Sequence, residues 1–223
     1  MTTPPLVEFR GVSLAFGANP LFTSVDLAVE AGSSVAIVGH EGSGKTALLK
    51  LCLGMVFPTE GTVLVDGRDT RSFSPHDLRA LRARMGFVQQ AGGLLSNLTL
   101  IENLLLPLRY HNLCDEERQS RIHMLAMELD LGHHLGKLPG ELPEMVQKRG
   151  RLARALALAP RVILADHPLA GVTEGVADSI VECLDSARTS TGAAVLSTSH
   201  TVQGARRLAQ KVYHIDNKRI RPL

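Results

Sequence analysis

The chain has 223 residues, 44% of them hydrophobic and 21% charged, which is enough apolar mass for the core of one globular domain. A net charge of +2 excludes the broad cationic face by which a protein grips nucleic acid or anionic lipid directly, so any membrane connection is expected to run through a protein partner. Cys52, Cys114 and Cys183 stand far apart in no CxxC pattern, which excludes a disulfide framework or zinc site, and apolar runs such as Leu104–Leu108 fall far short of the roughly 20 residues of a membrane span.

Met1–Val7 carries two prolines and no basic run, so no targeting segment is expected there and the chain is expected in the cytosol. Val7–Leu14, Val25–Glu30 and Ser34–Val38 are β-branched-rich runs punctuated by Gly, Asn and Ser, and they predict strands. Lys45–Leu53 then reads as a buried helix. Val63–Val65 predicts a strand closed by the hairpin dipeptide Asp66-Gly67. Ser74-Pro75 with Asp77 supplies an N-cap, a proline at the first helical position and an acid in the first turn, predicting a helix to about Arg84 before a strand at Met85–Val88.

The middle of the chain reads as all-helical: Thr99-x-x-Glu102 is a capping box, and Asp115–Leu131 repeats apolar residues at helical spacing. The His133-His134 and Glu116-Glu117 pairs in this region read as solvated and receive no role. After Leu156 the alternation returns, with a strand at Val162–Ala165, a helix over Gly175–Arg188, a strand at Ala193–Ser197, a helix from Thr201 and a final hairpin turned at Asp216-Asn217. Alternating strands and helices place the chain in the α/β class, with a largely parallel sheet and a helical insertion between about Gly92 and Ala159.

Gly39-His40-Glu41-Gly42-Ser43-Gly44-Lys45-Thr46 matches G-x-x-x-x-G-K-[ST] between an apolar strand ending at Val38 and a helix beginning near Lys45. Glycines at those positions let consecutive backbone N–H groups face a phosphate, and the helix N-terminus adds its positive dipole end. Lys45 would neutralise the β- and γ-oxygens, while Thr46 would ligate Mg²⁺.

Further segments follow in the order and spacing of the ABC ATPase family, which the chain resembles over essentially its whole length. Phe16, in Leu14-Ala15-Phe16-Gly17, sits where that family stacks an aromatic on adenine, a common use for a half-buried ring, with a plain core Phe as the alternative. Gly86-Phe87-Val88-Gln89-Gln90 is similar to the glutamine loop, whose register gives Gln90 a contact to Mg²⁺ and water; Gln89 fills a position more often aromatic. Val162-Ile163-Leu164-Ala165-Asp166 resembles a Walker B strand, in which Asp166 would hold the metal. Ser197-Thr198-Ser199-His200 resembles the segment carrying the switch histidine, implying that His200 senses the γ-phosphate.

The resemblance implies a P-loop NTPase core of RecA-like type with a mainly parallel sheet, an N-terminal antiparallel β subdomain and an inserted α-helical subdomain. It implies one domain over 1–223, with residues 1–91 and 160–223 forming the core and 92–159 the helical part. The implied cofactors are ATP, seated on Gly39 to Thr46 with Phe16, Gln90 and Asp166, and Mg²⁺, held by Thr46, Gln90 and Asp166. The implied partners are a transmembrane permease and a second ABC ATPase subunit, as homo- or heterodimer, with no nucleic acid. The implied location is peripheral, on the inner face of the cell membrane through the permease.

Two segments depart from the family pattern. Arg154-Ala155-Leu156-Ala157 sets the register, and upstream the signature LSGGQ, whose backbone clamps the ATP of the opposing subunit, is replaced by Leu142-Pro143-Glu144-Met145-Val146. Proline and methionine forfeit the close backbone approach of glycine, and Glu144 is expected to turn a negative charge toward the triphosphate. After Asp166 the family carries a catalytic glutamate, where this chain has His167, and Ala170-Gly171-Val172-Thr173 lacks the aspartate expected at its end. His167 is either a substitute base or a tolerated rim residue. A lost general base costs about 10²–10⁴-fold and a lost oxyanion donor about 10²–10³-fold, so weak or absent hydrolysis is expected. Pairing with an intact homologue would spread the two defects over both composite sites, whereas a homodimer would combine them in each.

Gln90-Ala91-Gly92-Gly93-Leu94-Leu95, Leu100-Ile101-Glu102-Asn103 and Leu106-Pro107-Leu108-Arg109 resemble the ATPases of Mla/Mce-type phospholipid transport systems, with lipoprotein-release and macrolide-efflux ATPases as the alternative. In the family, the glutamine loop and the helices after it form the groove for the permease's coupling helix, which makes residues 91–97 the candidates for that contact. No regulatory C-terminal domain is expected. Two functions compete: an ATPase that drives transport, and a non-hydrolysing ATP-binding module that holds or regulates a transporter. A soluble ABC protein of translation or DNA repair is disfavoured, since those usually carry two such domains or a long coiled insertion.

Overall fold

The computed structural model describes residues 4–17, 19–111 and 114–223, so Met1–Thr3 of the expected leaderless start lie outside it. Strands β1 (Val7–Phe16), β2 (Asn19–Val29), β4 (Glu60–Val65) and β5 (Arg68–Asp69) form an antiparallel sheet in the order β2-β1-β4-β5. Its pattern is alternating, with Val7, Phe9, Val12 and Leu14 turned to the core, as expected of a sheet packed on one face. Asp66 and Gly67, at φ 53° and 76°, turn the β4–β5 hairpin as the dipeptide predicts. Strand β2 starts six residues before the predicted Val25, because it lies at the sheet edge, where Pro20 opposite Ala15 forfeits no ladder bond that the sheet needs.

The second sheet runs β10-β9-β3-β8-β7-β6, from β3 (Ser34–Val38), β6 (Met85–Val88), β7 (Val162–Ala165), β8 (Ala194–Ser199), β9 (Lys211–Asp216) and β10 (Arg219–Pro222). Every pairing is parallel except β9–β10. Strands β3, β7 and β8 are buried throughout, which is why β3 and β7 read as nearly continuous apolar runs; β8 ends in the buried polar residues Ser197, Thr198 and Ser199. The final turn falls at Asn217-Lys218, one residue later than predicted: both are left-handed, at φ 45° and 62°, and Asp216 pairs with Arg219 as the last strand residue.

Helices α1 (Lys45–Cys52), α2 (Pro75–Ala83), α6 (Glu174–Thr191) and α7 (Val202–Leu208) connect the strands, while α3 (Leu100–Tyr110), α4 (Asp115–Glu128) and α5 (Glu144–Leu156) fall between β6 and β7. The α2 start is as read, with Ser74 Oγ accepting from the Asp77 N–H at 3.2 Å. The Thr99 capping box closes in both directions, since Glu102 Oε2 accepts the Thr99 N–H at 2.7 Å, and these bonds hold the Glu102 carboxyl below its ordinary pKa. Leu100, Leu104 and Leu108 form a fully buried stripe that packs with Leu125, Leu129, Leu152 and Leu156, each contributing about 1.5–3 kcal/mol of apolar burial. Asn103 on α3 is also fully buried. Its Oδ1 accepts the Leu95 N–H at 2.7 Å and its amide donates to the Leu95 and Leu98 carbonyls at 3.0 Å, which pins the segment after β6 to the helix. Among the described residues, no helix is long and apolar enough to cross a membrane.

Candidate functional site

In an open parallel sheet, ligands bind beyond the carboxyl ends of the strands, and the sequence-predicted residues gather at that edge. Gly39 follows β3, Asp166 follows β7 and His200 follows β8, on strands that lie side by side in the order β3-β8-β7; Gln90 lies two residues past β6. Residues 39–46 wrap from β3 into α1. Gly44 occupies the N-cap at φ 98°, where a Cβ would approach Phe22 Cδ1 at 2.9 Å, and a Cβ on Gly39 would meet Ile215 Cγ2 at 2.3 Å. Both positions therefore demand glycine, one for its backbone angle and close packing, the other for close approach.

His40, Glu41 and Gly42 lie at the exposed rim of the loop, while Ser43 and Lys45 are buried. Lys45 Nζ donates to the Gly39 carbonyl at 2.8 Å and the His40 carbonyl at 2.7 Å. Burial lowers the Lys45 pKa, opposed by the charges of Asp166 and Glu41. Thr46 Oγ1 donates to Asp166 Oδ2 at 2.8 Å, bringing a hydroxyl and a carboxylate together at the mouth of the loop. Both are hard oxygen donors of the kind Mg²⁺ takes in small number beside phosphate oxygens. Among the described residues no three His, Cys, Asp or Glu side chains cluster as a metal cage. The residues present thus fit Mg²⁺ with a polyphosphate.

Phe16 ends β1 with 59% of its surface exposed, so it is neither a core ring nor half-buried; its face is available for stacking. Gln90 is exposed, and its carbonyl accepts from Arg151 Nη1 at 2.9 Å. The expectation of a rim residue at 167 is corrected: His167 is buried, 6% exposed, in a left-handed backbone at φ 48°. Its ring stacks on His200, with centroids 3.7 Å apart and planes at 9°, and its Nδ1 is buried without a hydrogen-bond partner. Burial, together with the His200 charge, pushes its pKa from 6.5 to about 4, against the opposing pull of Asp166. Between those values the unfolded chain binds the extra proton. The His167 contribution to stability is therefore complete above pH 6.5 and lost as pH falls through about 4. Thermal unfolding from about pH 7 down to about pH 4.5 should lower the wild-type Tm more than that of His167→Asn; parallel curves would contradict this.

The carboxylate of Glu144 is exposed and has a partner within the chain. Glu144 opens α5, and its Oε1 accepts from Arg151 Nη2 at 2.9 Å, so its charge is paired within the chain. Arg151 is 7% exposed and links that carboxylate to the Gln90 carbonyl. Lys148, also on α5, donates to the Ala170 carbonyl, and Thr173 occupies the N-cap position of α6 without a side-chain cap bond. Sequence reasoning missed Arg151, Lys148 and Thr198, whose hydroxyl donates to Asp166 Oδ1 at 2.7 Å. Only Thr198 left a signal, as one of three polar residues ending an otherwise apolar strand.

A glycine loop between a central parallel strand and a helix, faced by a carboxylate from a strand two places away, defines the P-loop NTPase fold, here as an ABC ATPase cassette with its antiparallel β subdomain. The chain belongs to the ABC transporter family, whose profile matches residues 22–170, and it is an ABC transporter ATP-binding subunit. It is 32% identical over 219 residues to the intermembrane phospholipid transport ATP-binding protein MlaF of Haemophilus influenzae, covering 96% of this chain and 82% of that protein. It is 30% identical over 217 residues to the methionine import ATP-binding protein MetN of Caulobacter vibrioides, covering 96% of this chain but 65% of MetN, so it spans less than two thirds of that relative's length. A solved dimeric ATP-binding cassette in a post-hydrolysis state, bound to ADP and Pi, superposes with a TM-score of 0.88 at 28% identity over 97% of each chain. The family binds ATP, typically with Mg²⁺, and its cassettes dimerise and work with transmembrane permeases.

Proposed function

We propose that this chain is the ATP-binding subunit of a phospholipid transporter, binding Mg-ATP at a dimer interface with weak or absent hydrolysis. The observation that carries the binding half is the Thr46–Asp166 contact at the mouth of a loop that demands glycine, with buried Lys45 behind it. In this reading the amides of residues 39–46 and Lys45 seat the phosphates, Thr46, Gln90 and Asp166 hold Mg²⁺, Phe16 stacks on the base and His200 meets the γ-phosphate. Bound Mg²⁺ supplies charge neutralisation at the β- and γ-oxygens. The hydrolytic half falls short because His167, in the place of the general base, is nearly buried, stacks on His200 and brings no carboxylate charge to polarise a water.

A groove of about 710 Å³, lined by Phe87, Leu94 and Leu106 together with Arg79, Arg82 and Arg154, supports docking of a permease helix beside residues 91–97. Residues 92–159 would move as the helical subdomain against a core of 1–91 and 160–223, and the permease would hold the chain at the inner face of the membrane. The likeness to MlaF supports phospholipid as the cargo. Affinity purification from gently solubilised membranes of the parent cell should return a polytopic chain in fixed ratio, and its lipid content should be enriched in phospholipid over other small solutes. Recovery of the chain free of any membrane-embedded partner would contradict the transporter reading. Recovery with a permease that binds methionine instead would contradict the cargo.

A further inference from the structure

We propose that Thr198 is the positioning residue of this site, holding the Asp166 carboxylate in its metal-facing orientation and fixing the backbone that seals His167 against His200. Thr198 is fully buried on β8, and the register explains its place: Ala165 of β7 pairs with Ser197, which sets Thr198 beside Asp166 one step further along. Its hydroxyl donates to Asp166 Oδ1 at 2.7 Å and accepts the His167 N–H at 2.9 Å. The other carboxylate oxygen, Oδ2, accepts from Thr46 Oγ1 at 2.8 Å. Each oxygen of Asp166 is thus met by a hydroxyl from a different element, α1 on one side and β8 on the other, so the carboxylate plane has one orientation rather than a range.

The same hydroxyl acts on the next residue. A left-handed backbone is strained for a non-glycine residue, and His167 adopts it at φ 48°. The bond from its N–H to Thr198 satisfies a buried donor that this geometry directs at β8. One side chain therefore serves two ends: the ion side through Asp166, and the water side through the ring stack of His167 on His200.

This inference rests on the Mg-nucleotide reading of the site, and its test separates the two. Thr198→Val keeps the shape and deletes the hydroxyl; Thr198→Ser keeps the hydroxyl. ATP titrations of the purified chain are run in Mg²⁺ and again in excess EDTA, and the ring protons of His200 are followed by NMR. Thr198→Val should weaken ATP binding about tenfold in Mg²⁺, change it less than about twofold in EDTA, and abolish the upfield stacking shift of His200. Thr198→Ser should restore all three. If valine prevents folding, Thr198→Ala carries the same comparison. Wild-type affinity in Thr198→Val, equal losses with and without Mg²⁺, or an unrestored serine variant would overturn the proposal. A wild-type chain that takes no nucleotide while its valine variant loses the stacking shift would overturn the site reading and uphold the hold on His167.

Discussion

Lys45→Ala should lower ATP affinity by about 10²-fold or more while the fold persists. The side chain is 3% exposed, and its ammonium is held by carbonyls of the loop itself, at 2.8 Å from Gly39 and 2.7 Å from His40. Those carbonyls satisfy the ammonium without neutralising it, so the charge remains available to an anion, and burial makes that anion worth more than it would be in water. Charge-assisted hydrogen bonds to such a group run at about 1.5–3 kcal/mol each, and losing one or two of them gives the stated factor. Alanine leaves no buried charge behind, so thermal unfolding should change little. Calorimetric titration with ATP, beside a melting curve, checks both halves; near-wild-type affinity would remove Lys45 from the site.

The second large effect concerns turnover. The chain assembled with its permease should hydrolyse ATP at about 10⁻¹ s⁻¹ or slower, against about 10 s⁻¹ for a typical enzyme. His167→Glu alone should gain less than about tenfold, because the clamp on the opposing nucleotide is still missing. Adding Pro143→Ser, Glu144→Gly and Met145→Gly to His167→Glu should raise the rate by about 10²–10⁴-fold over the wild type. The restored clamp has a structural cost, since Glu144 pairs with nearly buried Arg151, and the repaired variant should melt below the wild type. Phosphate release in a coupled assay reads the rates. Fast turnover by the wild-type assembly, or full rescue by His167→Glu alone, would contradict this reading.

How much was legible in advance follows from the range of each signal. Gly39–Thr46, the Thr99–Glu102 box and the Ser74–Asp77 cap are local patterns whose chemistry lies within eight residues, and each sits where its residues place it. The strands buried on both faces announced a parallel sheet through unbroken apolar runs. The Thr198–Asp166 and Arg151–Gln90 contacts join residues 32 and 61 positions apart, and no periodicity carries such pairs. The buried, left-handed setting of His167 has no signature in the residue type, because tertiary contacts impose such a backbone on a non-glycine residue. Arg151, which pairs with Glu144, lies two helical turns along α5 from it.

The proposed function depends on a triphosphate and a magnesium ion seated between the loop amides, Lys45, Thr46 and Asp166. Equilibrium titration of the purified wild-type chain with ATP, in Mg²⁺ and in excess EDTA, tests it most directly, with Asp166→Asn as the reference. The wild type should bind ATP saturably and one to one, more tightly with Mg²⁺, and the metal effect should largely disappear in Asp166→Asn. Absence of saturable binding, or binding equally tight with and without Mg²⁺ in both proteins, would contradict it.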